Sequence, residues 1–318
     1  MSGTIDLTNF FNHCGISFPH NVEITETEGM YPFNPDYEAN WTYFTFKGYQ
    51  YLRDKIEPPF RIACVAAGSG IEVIGLNRIF PLASFYLTDI DSEIVSVALK
   101  NVKGIFPVPK FTALTGSLCE PLIESGLKFD LIHGNVPNLI CNDDKDLSSG
   151  DDKGTFIKSG ILSEQIPEEY IKWGLGTQYE YLRGAYEVLN PGGSVVTMIG
   201  GRFPLRLVEK LFSDCKLKLE SEFSVGFKWQ TQPEPDFIGY RDLEKKMGAG
   251  ESFDFYVYDL AIEILEKKGF LNPTSILTGQ EMKDLLSSAR VSATYALTLH
   301  RKGIRCGHTV HLFRGVRM

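Results

Sequence analysis

The stretch Val65-Ala66-Ala67-Gly68-Ser69-Gly70-Ile71 decides the fold. It continues an apolar run, FRIACVA (60–66), with the length and content of a buried strand, and it opens onto a helix. Gly68 and Gly70 let the turn approach a ligand closely, and the helix start beyond them presents N–H groups that no helix carbonyl uses. Nineteen residues after Gly70, at the end of the run SFYLTD (84–89), stands Asp89. An acid at that strand end accepts hydrogen bonds from ribose hydroxyls. The order strand, glycine turn, helix, strand, acid carries the reading; a G-x-G alone would not.

Outward from this unit the rhythm continues. Apolar runs KFTALT (110–115), FDLIHGN (129–135) and SVVTMIG (194–200) alternate with helical segments, among them EIVSVALKNV and QYEYLRGAYEV. Such alternation predicts an α/β, doubly wound, mostly parallel sheet of the Rossmann-like type, here with seven strands. Residues 60–259 form the predicted core. Residues 1–59, with the aromatic segment NWTYFTFKGYQYL (40–52), read as an N-terminal extension capping the active site. Residues 260–318 read as a C-terminal extension in which SATYALTLH and HTVHLFRG form a closing hairpin or edge strands. Residues 141–165 carry five aspartates among Ser and Gly and read as a mobile loop, with an active-site lid as the sharper alternative.

Composition narrows the function. The 318 residues are 43% hydrophobic and 23% charged, enough for a large core. A formal net charge of -8 argues against a nucleic-acid partner, since such proteins present a basic face. No apolar run approaches the ~18 residues of a membrane span. MSGTIDLTNFFNH lacks the basic and apolar regions of a signal peptide. Six scattered cysteines, without a C-x-x-C pair, fit free thiols in a reducing cytoplasm. The expectation is a cytoplasmic protein with a small-molecule substrate, no nucleic-acid or membrane partner, and a homodimer left open. His308 and His311 are expected on a strand surface, and no metal site is expected.

Dinucleotides and S-adenosylmethionine (SAM) use the same kind of turn, so the two must be separated. The fingerprint G-x-G-x-x-G needs its third glycine, for tight helix packing at a pyrophosphate, at the position of Val73. SAM carries no phosphate. The fourth run ends in Asn135-Val136-Pro137-Asn138, and open α/β sheets hold ligands at such strand ends. This resembles the N-P-P-Y motif of amide and base N-methyltransferases. SAM is therefore the expected cofactor, against Ala66, Gly68, Ser69, Gly70, Asp89, Ile90, Ser117, Leu118 and Asn135. Asn135, Pro137 and Asn138 are expected at methyl transfer. Two positions depart from SAM enzymes at large: the acid ending the first strand and an extra glycine are Cys64 and Ala66, and the acid near the third strand is Ser117. Asp91 or another residue is expected to compensate. Asn138 occupies the aromatic position and cannot stack on a base or amide as a ring does.

The second half carries a further likeness. Gly200-Gly201-Arg202-Phe203-Pro204 is followed by a helix ending in Leu211-Phe212, by Lys228-Trp229-Gln230-Thr231-Gln232, and by Ser252-Phe253-Asp254-Phe255-Tyr256. This order resembles the methyltransferase domain of methionine S-methyltransferases, with their G-G-R-P turn, R-L-F helix, W-Q-T-K segment and F-E-F-F strand. The likeness reaches Trp173-Gly174-Leu175-Gly176 and Trp41-Thr42-Tyr43 with Gly48, in patches over residues 30–315. It is nearer the short bacterial members than the long plant ones. The resemblance implies methyl transfer from SAM to the thioether sulfur of L-methionine, giving S-methyl-L-methionine and S-adenosylhomocysteine, as a first step toward dimethylsulfoniopropionate. It places Tyr43, Trp173, Arg202, Trp229 and Gln230 at the substrate, with Trp41 among the walls around the thioether. Arg202, just beyond the fifth strand, would grip the carboxylate in a fork.

A thioether has a lone pair and no proton to lose, so its attack needs no general base. Holding two sulfurs in line lowers the barrier by proximity and orientation, up to ~7–11 kcal/mol. Two other readings stay open: N-methylation of a small amine, an amino acid or a protein glutamine, and a non-catalytic scaffold that lost the first-strand acid and the glycine at Ala66.

Overall fold

The computed structural model describes residues 3–108, 110–147, 149–163, 165–230, 234–270 and 277–318. Five strands run parallel: β1 (Arg61–Val65), β2 (Ser84–Asp89), β3 (Phe111–Thr115), β4 (Phe129–Gly134) and β5 (Leu189–Gly200), in the spatial order 3-2-1-4-5. Then come β6 (Leu217–Trp229), β7 (Phe255–Val257), β8 (Arg290–Val291) and β9 (Cys306–Arg317). Strand β9 lies antiparallel between β5 and β6, in register from Val310 opposite Gly200 to Val316 opposite Ser194. The short β7 pairs β9 beyond the end of β5, and β8 pairs β7. The described sheet thus has nine strands, two more than expected; the additions are the two short ones.

Alternation along β1 sends its side chains to two different layers. Ile62 and Cys64 face one apolar cluster, where α1 (Trp41–Leu52), α2 (Ile71–Ile79) and α3 (Ser92–Ile105) pack. Ala63 and Val65 face the other, with α4 (Gly176–Val188) and α5 (Arg206–Asp214). Helix α1 starts where Asn40 accepts from the N–H groups of Thr42 and Tyr43; α3 starts where Asp91 accepts from Glu93. Both faces of the parallel sheet are covered, so its strands read as near-continuous apolar runs.

The chain's last part differs from expectation. SATYALTLH folds as a helix, not a strand. With α6 (Glu234–Glu244), α7 (Tyr258–Lys267) and α8 (Gly279–Leu285) before it, it is α9 (Ala293–His300). Ser292 caps it at Tyr295, and Ala293, Ala296, Leu297 and Leu299 bury one stripe. The 3.6-residue stripe wins over the apparent alternation. HTVHLFRG is an interior strand rather than an edge, and His308 and His311 are consequently fully buried, not on a strand surface.

The polar segment 141–165 contains a short helix, Gly150–Thr155, and a strand, Phe156–Lys158, paired parallel to Leu139–Cys141. Lys153 binds Asp91 at 2.9 Å, and Gly150 sits against the Met30 carbonyl where a Cβ would not fit. No helix among the described residues is long and apolar enough to cross a membrane.

Candidate functional site

At the carboxyl ends of β1, β2 and β4 lies a cavity of about 740 Å³, within the size range of small-molecule sites. Strands β2 and β4 flank β1 on opposite sides, so this is the point where the winding reverses and an open sheet leaves a crevice.

The glycine turn forms its floor. Ala66, Gly68 and Gly70 take left-handed φ of 56°, 50° and 84°. Gly68 would meet nothing within 4 Å of an added Cβ, so the turn opens directly into the cavity, leaving room for a ligand. The Gly68 N–H donates to Asp89 Oδ2 at 3.1 Å. Burial raises the Asp89 carboxyl above its ordinary value, and backbone N–H groups of Gly68, Asp91 and Ile90 work against that rise. A carboxylate fixed at the rim by its own backbone can accept from a diol.

Of the expected cofactor residues, Ala66, Gly68, Ser69, Asp89, Ile90, Ser117, Leu118 and Asn135 line the cavity together. Gly70 instead starts α2 behind the turn, its Cβ position pressed toward the Ala98 carbonyl at 3.2 Å. Pro137 and Asn138 line the cavity next to Asn135. Asn138 Oδ1 accepts from Gln178 Nε2 at 3.4 Å, and Gln178 in turn accepts from Thr197.

The first strand ends without an acid at Cys64, but an acid just after the glycine turn lines the cavity. Glu72, the second residue of α2, lines the cavity and is held by His133 Nε2 at 3.0 Å and by the Thr45 hydroxyl at 3.2 Å. Sequence reasoning missed it, although it follows the quoted stretch directly. Asp91 caps α3 and pairs with Lys153, so its charge is engaged.

Beyond Asn138 the cavity ends at Arg202, Asp236 and Tyr240, with Trp41 beside them. Arg202 is 3% exposed; its guanidinium reaches Tyr240 Oη at 3.2 Å and binds Gln230. Its Nε has no partner among the described residues. Asp236 and Tyr240, one turn apart on α6, were also missed: their i, i+4 spacing marks one helix face but names no function. Behind them Lys228 is fully buried, 5.2 Å from the Trp41 ring centroid, and burial with the nearby Arg202 charge pulls it down to about 7. His308, its ring centroid 5.3 Å from that of Trp41 and tilted to it, is held well below its ordinary range by burial.

The structure separates the other expected substrate residues from this cavity. Gln230 stands behind Arg202 as its partner rather than in the lining. Tyr43 packs on His13, Tyr37 and Phe44, with its hydroxyl 3.1 Å from His13 Nε2. Trp173 is buried edge-on against Phe253. Trp229 lies against Tyr258 and Arg305. Thr231 and Gln232 of the same segment lie outside the described residues. All three rings are large apolar groups spent on packing, which their sequence context could not reveal.

Two segments outside the main sheet complete the lining of the cavity. Glu26, Gly29 and Tyr31 to Asn34 come from the N-terminal segment, and Asp146, Leu147 and Lys153 to Lys158 from the polar segment. Among the described residues no cluster of His, Cys, Asp and Glu could hold a metal ion.

Strand order and glycine turn together define an α/β protein of the Rossmann-like fold found in SAM-dependent methyltransferases. No protein-family model matches the chain. A curated relative, the release factor glutamine methyltransferase of Moorella thermoacetica, is 27% identical over 154 residues, 46% of this chain. The chain spans about half of that relative's length, 49%. Among solved structures, a ribosomal protein L11 methylase from Lactobacillus delbrueckii subsp. bulgaricus aligns with TM-score 0.38 and 19% identity, covering 56% of this chain and 71% of the other. A geranyl diphosphate methyltransferase in complex with SAM aligns with TM-score 0.40 and 9% identity, covering 90% and 93%.

Proposed function

We propose that the chain is a SAM-dependent methyltransferase whose acceptor is the thioether sulfur of methionine. One observation supports this reading above the rest: a single cavity joins the Gly68–Asp89 turn to a buried Arg202 and Asp236, with Asn135–Asn138 between. SAM supplies a methyl group on a sulfonium. On this reading Asp89 holds the ribose hydroxyls, Glu72 faces the amino acid ammonium of the cofactor, and Ile90 and Leu118 flank the base. The Asn135–Asn138 junction contains no side chain that takes a proton near neutrality, which suits a nucleophile with no proton to give. Trp41 lines the acceptor end and limits water there.

A second reading is N-methylation of a glutamine amide. The Moorella relative's name and Asn135 favour it; Asn138 in place of a stacking aromatic weighs against it.

The test is release of S-adenosylhomocysteine from SAM by the purified protein with methionine, free glutamine or a glutamine-containing peptide. The proposal expects turnover with methionine above both others. Turnover with the peptide and none with methionine would establish the second reading instead.

A further inference from the structure

The acceptor end holds a buried cation and a buried anion that do not pair with each other. Arg202 and Asp236 are 3% and 5% exposed, and both line the cavity. Gln230 stands between them: its amide oxygen accepts from Arg202 Nη2, and its amide nitrogen donates to Asp236 Oδ2. Among the described residues the other guanidinium contacts are the Tyr240 hydroxyl and the faces of Tyr240 and Phe255, none of them anionic, and Nε is unpartnered. Separated charges in a dry site are costly unless something completes them.

The spacer shows what would. An amide carries an acceptor and a donor on one carbon, and Gln230 turns the acceptor to Arg202 and the donor to Asp236. An α-amino acid carries a carboxylate and an ammonium on one carbon in the same relation, each with a full charge. A residue within a polypeptide has neither charge, since both groups are locked in peptide bonds.

Resting on the methyl-acceptor reading above, we propose that this pair recognises a free, zwitterionic α-amino acid, with the carboxylate on Arg202 and the ammonium on Asp236. Asp236 is then a substrate-binding residue that sets specificity, and the site rejects the same side chain inside a protein. Lys228, buried beside the pair, His308, tilted against Trp41, and Tyr240 are titratable neighbours at this end, and the charges of Asp36 and Lys145 also reach it.

Truncated thioethers test it without touching the protein. 4-(Methylthio)butanoate lacks the ammonium, and methionine amide lacks the carboxylate. Wild type should prefer methionine over each by about 10–100-fold in kcat/KM, the effect of losing a charged hydrogen bond. Asp236→Asn should lose a similar factor with methionine and almost nothing with 4-(methylthio)butanoate, so that preference collapses while the preference over the amide persists. Calorimetry should show weaker methionine binding to the S-adenosylhomocysteine complex of Asp236→Asn, with S-adenosylhomocysteine affinity unchanged, which also reports that the variant is folded. The proposal is overturned if wild type methylates 4-(methylthio)butanoate as well as methionine, or if Asp236→Asn keeps the full preference. Methylation of free glutamine but no thioether would overturn the thioether reading and leave the clamp standing. Methylation of peptide glutamine alone would overturn both.

Discussion

Asp89 combines two demands on one side chain: it is fixed by the Gly68 N–H at 3.1 Å, and it lines the cavity. Asp89→Ala should weaken SAM binding by about 1.5–3 kcal/mol, the scale of a lost charged acceptor, read by calorimetry. An unchanged dissociation constant would remove Asp89 from the cofactor site. Lys228 makes a prediction about pH. Burial pulls its amine from an ordinary 10.5 to about 7. Between those values the unfolded chain holds a proton that the folded chain has released, so this residue's contribution to stability grows as pH rises. The contribution is complete above about 10.5 and is lost as pH falls to about 7. Its slope is at most ~1.4 kcal/mol per pH unit. Above pH 9 the buried thiols of Cys14, Cys215 and Cys306, raised by burial to about 12, 12 and 11, pull the other way. Urea unfolding at pH 7 and 8.5 should therefore show a rise in wild type that is smaller in Lys228→Met. Equal slopes would mean that the amine stays protonated in the fold. Neither Lys228 nor Asp236 was legible as part of a site, because burial of a charge depends on elements far apart in sequence.

Helices α1 and α2 pack through one tight point, where Phe46 lies over Gly75 and an added Cβ would overlap the ring. Gly75→Ala should cost about 1–3 kcal/mol by overpacking, measured as a lower urea midpoint at unchanged slope. Gly75→Ala with Phe46→Leu should recover part of it. If Gly75→Ala is neutral, the two helices do not sit this closely. The five parallel strands and their helices could be read from sequence because each apolar run sits next to its own turn signal. The end of the chain could not. SATYALTLH alternates on paper, but a serine cap and a stripe of buried alanines and leucines make it α9. HTVHLFRG reads as an edge because its histidines are polar. It is interior because β5 and β6 pair with it on its two sides, and Trp41 and Phe313 lie against His308 and His311 and help to bury them.

Across the whole molecule, the cavity is completed by parts outside the parallel sheet. The N-terminal segment and residues 146–147 and 153–158 form walls; Gly150 against Met30 joins the two, and Lys153 ties the second to Asp91 at the start of α3. Adding S-adenosylhomocysteine should slow hydrogen exchange at 26–34 and 146–158 as well as at 66–72 and 117–118. Protection confined to 66–72 would mean that the two walls do not close on the ligand. The cofactor half of this site was legible because it lies in one strand-turn-helix unit and the next strand end. The acceptor half was legible only at Arg202 and Trp41, since α6 and β6 meet it through tertiary packing. Of the other aromatic residues assigned to it by resemblance, Tyr43 and Trp173 are buried in the core and Trp229 packs half-buried against it. The account's central claim is methyl transfer to a thioether, and the most direct measurement is product analysis with methyl-labelled SAM and methionine. The account predicts a labelled methyl sulfonium, S-methylmethionine, formed in step with S-adenosylhomocysteine. Label appearing on nitrogen, or none transferred from bound SAM, would contradict it.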